Sequence, residues 1–70
     1  MEYLIVVEKT DCGFSAYSPD VPGCVATGRT VTETKARMKE VIEFHIDGLK
    51  QEGLVVPRPS TKSAYVEVTA

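Results

Sequence analysis

The side chains of this chain that could take part in acid–base or metal chemistry are His45, Asp20, Cys12 and Cys24. A histidine or a carboxylate can act as a general base or bind a metal ion, but both roles need partner residues at characteristic spacings. His45 has no such partner in the sequence. We therefore predict a partly buried, hydrogen-bonded structural role for His45 and a turn-stabilising role for Asp20, which stands beside prolines. No residue is predicted to be catalytic.

Phosphate and metal sites have no sequence signal either. There is no Gly-rich loop with a lysine at P-loop or dinucleotide-binding spacing. The inward-facing positions of the predicted strands are aromatic, aliphatic or cysteine, so no acidic cluster for Mg²⁺ is expected. Eight basic residues stand against ten acidic ones, which argues against binding to a phosphate backbone. We predict no metal, no cofactor and no direct nucleic-acid binding.

The two cysteines are predicted to be unbonded to each other. A tight hairpin turn centred between Asp20 and Val21 would place Tyr17 opposite Cys24, with Cys12 five residues further along the strand direction. At about 3.3 Å per residue this separation is roughly 16 Å, whereas a disulfide needs Cα atoms within about 7 Å. Cys24 then serves as a small apolar residue, and Cys12 is a loop thiol.

The longest periodic segment runs from Thr30 to Gly53 and predicts one helix. Thr30 and Glu33 have capping-box spacing at its start. Gly53 can take the left-handed conformation that ends a helix, and prolines follow it. At roughly 100° per residue, one apolar stripe faces the core, with three further residues at its margins: Val31, Met38, Ile42, His45 and Leu49, then Thr34, Val41 and Ile46.

Four short segments, residues 2–8, 14–18, 24–27 and 64–69, have strand-like composition or alternation. Pro22 and Gly23 supply turn chemistry between the second and the third. We predict an α+β fold of order β-β-β-α-β, in which hairpins link the first three strands. A right-handed crossover then places the fourth strand beside the first. The expected four-stranded sheet is mostly antiparallel, has the order 3-2-1-4, and carries the helix on one face.

A chain of 70 residues is expected to form one small domain, and a core of this size rarely supplies more than about 3 to 5 kcal/mol. We therefore expect a homo-oligomer. Leu4 and Val6 lie on the sheet face opposite the predicted helix and are candidates for its interface; an ordinary apolar surface is the alternative. No secretory signal or membrane-spanning stretch is visible, so we expect a cytoplasmic protein without membrane contact.

The outer face of the predicted helix combines carboxylates with an aromatic side chain. Two interpretations remain open: a solvated charged surface, or a partner-binding surface in which an exposed aromatic anchor has a charged rim. Self-association through the aromatic residue is a further possibility. The candidate partner-binding residues are Glu33, Glu40, Glu43, Phe44 and Asp47.

A multipart motif in the sequence resembles the N-terminal domain of the HicB-like antitoxin family. Its parts are an acidic and an aliphatic residue before Pro-Gly-Cys, a Gly-x-Thr, an acidic helix, and a closing Gly with spaced prolines. They are carried here by Tyr17, Ser18, Pro19, Asp20, Val21, Pro22, Gly23, Cys24, Thr27, Gly28, Thr30, residues 40–49, Gly53, Pro57 and Pro59. The resemblance implies a partial ribonuclease H-like fold and neutralisation of a small mRNA-cleaving toxin of the HicA type.

On this basis we expect a non-enzymatic antitoxin of a type II toxin–antitoxin system that binds and occludes a HicA-type toxin. Full-length members of the family commonly append a DNA-binding domain. Residues 1–70 are expected to form a single HicB-like domain without one. The alternative is a stand-alone homo-oligomeric protein-interaction module without a toxin partner, and an enzyme is the third and least supported possibility.

Overall fold

The computed structural model describes residues 1–70, in which three consecutive strands precede one long helix. Strand β1 is Val6–Thr10, β2 is Gly13–Tyr17, β3 is Val25–Gly28, and helix α1 is Val31–Gln51. The sheet has the order β1-β2-β3, and both strand pairs are antiparallel. The helix packs on β2 and β3. The predicted antiparallel meander and the single helix are therefore confirmed.

The connection between β2 and β3 differs from the tight hairpin that we predicted. Tyr17 lies opposite Val25, not Cys24, so the predicted register was wrong by one residue. The chain makes two successive turns here: the Val21 N–H donates to the Ser18 carbonyl and the Cys24 N–H to the Val21 carbonyl, each at 3.3 Å. These turns carry Val21 into the core, where it is fully buried, and this burial is what lengthens the connection.

The core is small and lies between the sheet and the helix. Its five buried apolar residues come from β2, the β2–β3 connection and α1: Ala16, Val21, Cys24, Met38 and Ile42. Cys24 acts as a small apolar side chain, and its burial raises the pKa of its thiol. Cys12 is exposed in the β1–β2 turn, and both cysteines are free.

Helix α1 begins and ends through local hydrogen bonds. The Thr30 hydroxyl accepts from the Glu33 N–H at 3.0 Å. The Glu33 carboxylate forms an ion pair with Arg37 at 2.9 Å and makes no bond to the Thr30 amide, so only half of the predicted capping box forms. At the other end Gly53 has a φ of 71°, and the Leu54 N–H donates to a carbonyl of the last turn, as in helix ends of the left-handed type.

The buried stripe of α1 is centred differently from the predicted one. Thr34, Met38 and Ile42 are its buried residues, whereas Val31, which was predicted at the centre, is exposed. The reason lies in the close approach of the helix to β3. A Cβ atom added to Gly28 would lie 2.6 Å from Thr34 Oγ1 and 2.9 Å from the Thr34 nitrogen. The absence of a side chain at Gly28 therefore lets Thr34 become the most deeply packed residue of the first turns.

The predicted fourth strand is wrong, and with it the four-stranded sheet of order 3-2-1-4. No backbone–backbone hydrogen bond involves residues 55–70, and residues 64–69 are exposed throughout. The Asp20 carboxylate accepts four hydrogen bonds from Ser60 and Thr61 and so fixes the chain beside the β2–β3 connection. Residues 62–70, the C-terminal tail, extend outward from there. The radius of gyration of 13.9 Å accordingly exceeds the value of about 11 Å expected for a compact chain of this length.

Candidate partner-binding surface

One side of helix α1 points away from the sheet and carries an exposed aromatic residue among carboxylates. Phe44 is 84% exposed and, two residues from buried Ile42, points about 200° away from the core. Glu40 lies one helical turn before Phe44, and Asp47 lies just under one turn after it. These residues and Glu43 are exposed and form no ion pair within the chain. We call these four residues, Glu40, Glu43, Phe44 and Asp47, the acidic helix face.

Glu33, the fifth predicted partner-binding residue, is engaged within the chain. Its carboxylate lies 2.9 Å from Arg37, one turn further along α1. Arg37 also donates to the Thr27 carbonyl at 2.9 Å, which links the first turns of the helix to β3. The structure therefore places four of the five candidates together on one face of the helix. Glu33 differs from them because its carboxylate is already paired with Arg37.

The other predicted residues differ in their exposure. His45 is half-buried on α1 and makes no hydrogen bond. Leu4 and Val6 are half-buried, and the Leu4 carbonyl accepts from the buried Ser18 hydroxyl at 2.8 Å. Pro22 and Gly23 form the exposed part of the β2–β3 connection, in which Gly23 has a φ of 88°.

Asp20 has a role that the sequence did not indicate. Its Oδ1 accepts from the hydroxyls of Thr61 and Ser60, at 2.7 and 3.1 Å, and its Oδ2 accepts from their two N–H groups at 3.0 Å. These bonds, led by the Thr61 hydroxyl, lower the pKa of Asp20 to about 2 because they favour the charged carboxylate. The predicted role in its own turn is wrong: the carboxylate ties together segments 40 residues apart, a distance over which local sequence patterns carry no signal.

Neither Asp20 nor any other residue stands in a cluster suited to metal binding. No group of three or more His, Cys, Asp or Glu side chains converges. The acidic helix face itself offers charge from its three carboxylates and apolar contact at Phe44.

A second surface feature, also missed from the sequence, is an apolar groove beside the helix. Its volume is about 350 Å³. One wall is the segment before β1 and the other is α1, with two lysines and a glutamate at the rim. The lining residues are Met1, Tyr3, Ile5, Lys35, Met38, Lys39, Ile42, Glu43 and Ile46.

Comparison with protein families identifies the chain. Residues 3–69 match the model of the HicB-like antitoxin of bacterial toxin–antitoxin systems. The chain belongs to the HicB-like antitoxin family. This match confirms the family that the Pro-Gly-Cys and Gly-x-Thr motifs indicated. Among solved structures, a chain of the HicA3 and HicB3 toxin–antitoxin complex superimposes with a TM-score of 0.72 and 35% identity, over 86% of this chain and 70% of that one.

Two other relatives of this HicB-like chain differ in length. An uncharacterised 14.9 kDa protein from the rep-hol intergenic region of Haemophilus phage HP1 is 36% identical over 66 residues, which are 94% of this chain and 50% of that protein. This chain thus spans about half the length of the phage relative. A UPF0150 protein of Thermoplasma acidophilum is 30% identical over 67 residues, 94% of this chain and 97% of that protein. No helix of this chain is both long and apolar enough to cross a membrane.

Proposed function

We propose that this HicB-like chain binds a toxin of the HicA type and covers the surface with which that toxin contacts RNA. The observation that carries the proposal is the match, at 35% identity and a TM-score of 0.72, to a chain of the HicA3 and HicB3 toxin–antitoxin complex. The family membership supports an antitoxin role, and the acidic helix face supplies chemistry suited to a basic RNA-binding partner.

The acidic helix face suits this partner for two physical reasons. Glu40, Glu43 and Asp47 have no ion-pair partner within the chain, so their charges are available to attract a basic surface and to raise the association rate. Phe44 offers a large exposed apolar side chain at their centre, the arrangement of an aromatic anchor with a charged rim. A basic surface covered in this way is no longer accessible to phosphate groups.

We further propose that neutralisation works by occlusion and involves no catalysis by this chain. Asp20, the carboxylate with a lowered pKa, is engaged by four hydrogen bonds, and no metal-binding group of side chains accompanies it. The antitoxin would therefore act in proportion to its amount, one binding surface for each toxin molecule, and would leave the toxin chemically unchanged.

The experiment is an affinity measurement with a HicA-type toxin, taken from an adjacent reading frame that encodes one. The test variant is Phe44→Ala with Glu40→Lys, and both positions are exposed, so the fold should persist. Loss of a hot-spot aromatic costs about 2 kcal/mol or more, so the dissociation constant should rise about 30-fold or more. The dissociation constant should also depend less on salt concentration, because the charge at Glu40 is reversed.

The matched control changes an exposed glutamate and an exposed apolar residue elsewhere: Glu8→Lys on β1 with Val55→Ala after the helix. It alters the net charge equally and should bind like the unmodified chain. Equal affinities for the test variant and the unmodified chain would exclude the acidic helix face as the toxin-binding surface.

A stand-alone homo-oligomeric module is the second candidate function, and the apolar side chains left uncovered in the C-terminal tail favour it. Absence of any adjacent frame for a small basic protein, together with stable self-association, would support this alternative over the antitoxin.

A further inference from the structure

Two apolar features of the chain have no partner within it. The first is the C-terminal tail, in which Tyr65, Val66 and Val68 are 100%, 83% and 74% exposed. Aliphatic residues alternate with others along its sequence, so an extended conformation would place Val66 and Val68 on one side and Tyr65 and Glu67 on the other. An extended segment with one aliphatic side gains free energy when that side is buried.

The second feature is the apolar groove beside α1. Tyr3 and Ile5 line one wall, and Met38, Ile42 and Ile46 line the other. Its volume of about 350 Å³ falls within the range of clefts that enclose several apolar groups. Lys35 and Lys39 lie at the rim, so the charge bordering this apolar groove includes two cations from the helix.

The tail does not fill the groove of its own chain. Ser60 and Thr61 are tied to Asp20 by four hydrogen bonds, and every residue that follows is exposed. The tail therefore leaves the body of the protein at a defined point and is presented outward, while the groove stays open. Because the tail points away from its own body, it can fill an apolar groove only when that groove belongs to a second molecule.

We propose that the tail of a second copy of this chain lies in the apolar groove, and that two copies exchange tails about a twofold axis. Val66 and Val68 enter the groove against Met38 and Ile42. Glu67 then points out of it, where the long side chains of Lys35 and Lys39 reach its carboxylate. Each copy contributes one tail and one groove, so the contact is closed and stops at the dimer.

This exchange does not depend on the proposed toxin binding. The groove borders the acidic helix face only at Glu43, and Phe44 stays outside it. Self-association can be measured without any toxin, so an experiment can refute the proposed dimer without refuting the proposed toxin binding, and the reverse. The exchange would also add buried apolar area to a core of only five residues.

The first test is sedimentation velocity on the full chain across micromolar concentrations. The unmodified protein should form a dimer. Val66→Asp places a carboxylate where the groove is apolar and should raise the dissociation constant about tenfold or more. The control is Val55→Asp, the same change at a valine that is 89% exposed and lies outside the tail; it should leave the dimer intact. A monomeric unmodified protein, or a Val66→Asp variant as dimeric as the unmodified chain, would overturn the proposal.

The second test reverses charges. Glu67→Lys and Lys39→Glu should each weaken the dimer, by about threefold for exposed pairs present twice. The double variant should regain most of the lost affinity, because it restores opposite charges across the contact. Independent effects without recovery would refute the predicted register of the tail in the groove.

The third test asks which copy supplies the tail. Lys39→Cys and Glu67→Cys are introduced into separate chains, each with Cys12→Ser to remove the exposed native thiol. After mixing and mild oxidation, a disulfide should join one chain of each kind. When both cysteines are placed in the same chain, the bridge should again run between chains. A bridge that closes within one chain would show the tail folding back into its own groove and would refute the exchange.

Discussion

Replacing Gly28 by alanine should weaken the contact between β3 and α1. A Cβ atom at this position would lie 2.6 Å from Thr34 Oγ1, 2.9 Å from the Thr34 nitrogen and 3.1 Å from its Cα. Two of these three atoms belong to the helix backbone, and Thr34 is fully buried. A change of side-chain rotamer therefore relieves only part of the conflict, and the first turns of the helix must move away from the strand.

The size of the effect follows from the small core. Overpacking of this kind costs about 1 to 3 kcal/mol, and a core of this size supplies about 3 to 5 kcal/mol in total. For a domain of this length each kcal/mol corresponds to roughly 4 to 8 °C in melting temperature. Gly28→Ala should therefore lower the melting temperature by roughly 4 to 24 °C, and a shift in the upper part of that range would leave some molecules unfolded at 37 °C.

Gly48, which lies within helix α1, offers a matched control for the same glycine-to-alanine substitution. A Cβ atom there meets nothing within 4 Å, and alanine favours a helix interior over glycine by about 0.5 to 1 kcal/mol. Gly48→Ala should therefore raise the melting temperature by a few degrees. Thermal unfolding followed by far-ultraviolet circular dichroism, at one protein concentration, should give shifts of opposite sign. A Gly28→Ala variant as stable as the unmodified chain would show that β3 and α1 do not approach as described.

Three further predictions concern the Asp20 bonds, the thiols and catalysis. With a folded-state pKa of about 2 against an ordinary value of 3.8, Asp20 stabilises the fold fully above about pH 4, and this contribution is lost as the pH falls toward 2. Asp20→Asn should remove this part of the pH dependence of stability. The Thr61 amide resonance, followed by NMR as the pH is lowered, should report the loss of the Asp20 bonds. Thiol titration should find Cys12 reactive in the folded protein and Cys24 reactive only after unfolding, because Cys24 is buried; rapid reaction of both would contradict the packing. Purified chain should not cleave RNA with or without Mg²⁺, and cleavage abolished by Asp20→Asn would contradict a role restricted to binding.

The parts of this fold that could be predicted from sequence are those set by neighbouring residues. The Thr30 cap depends on a bond to a residue three positions away, and the end of α1 depends on the conformation of Gly53. Alternation and turn residues placed the first three strands within a few positions of their observed bounds. The family could also be predicted, because its motif is carried by these same local turns and caps.

The parts that could not be predicted depend on contacts between distant segments. Alternation in residues 64–69 predicted a fourth strand, which the structure does not form, because alternation contains no information about which sheet edge, if any, a segment pairs with. The point at which the tail departs from the body of the protein is fixed by hydrogen bonds from Ser60 and Thr61 to Asp20, some 40 positions away. The groove likewise arises only when the segment before β1 and the helix are placed side by side.

Occlusion of the toxin is tested most directly by titrating the RNA-cleaving activity of a HicA-type toxin with this chain. Cleavage should fall to zero at one chain per toxin, and RNA and the chain should compete for a toxin variant that binds RNA without cleaving it. The Phe44→Ala, Glu40→Lys variant should require a large excess to reach the same inhibition. Undiminished cleavage at saturating chain, or a stable complex of toxin, RNA and chain together, would contradict occlusion of the RNA surface.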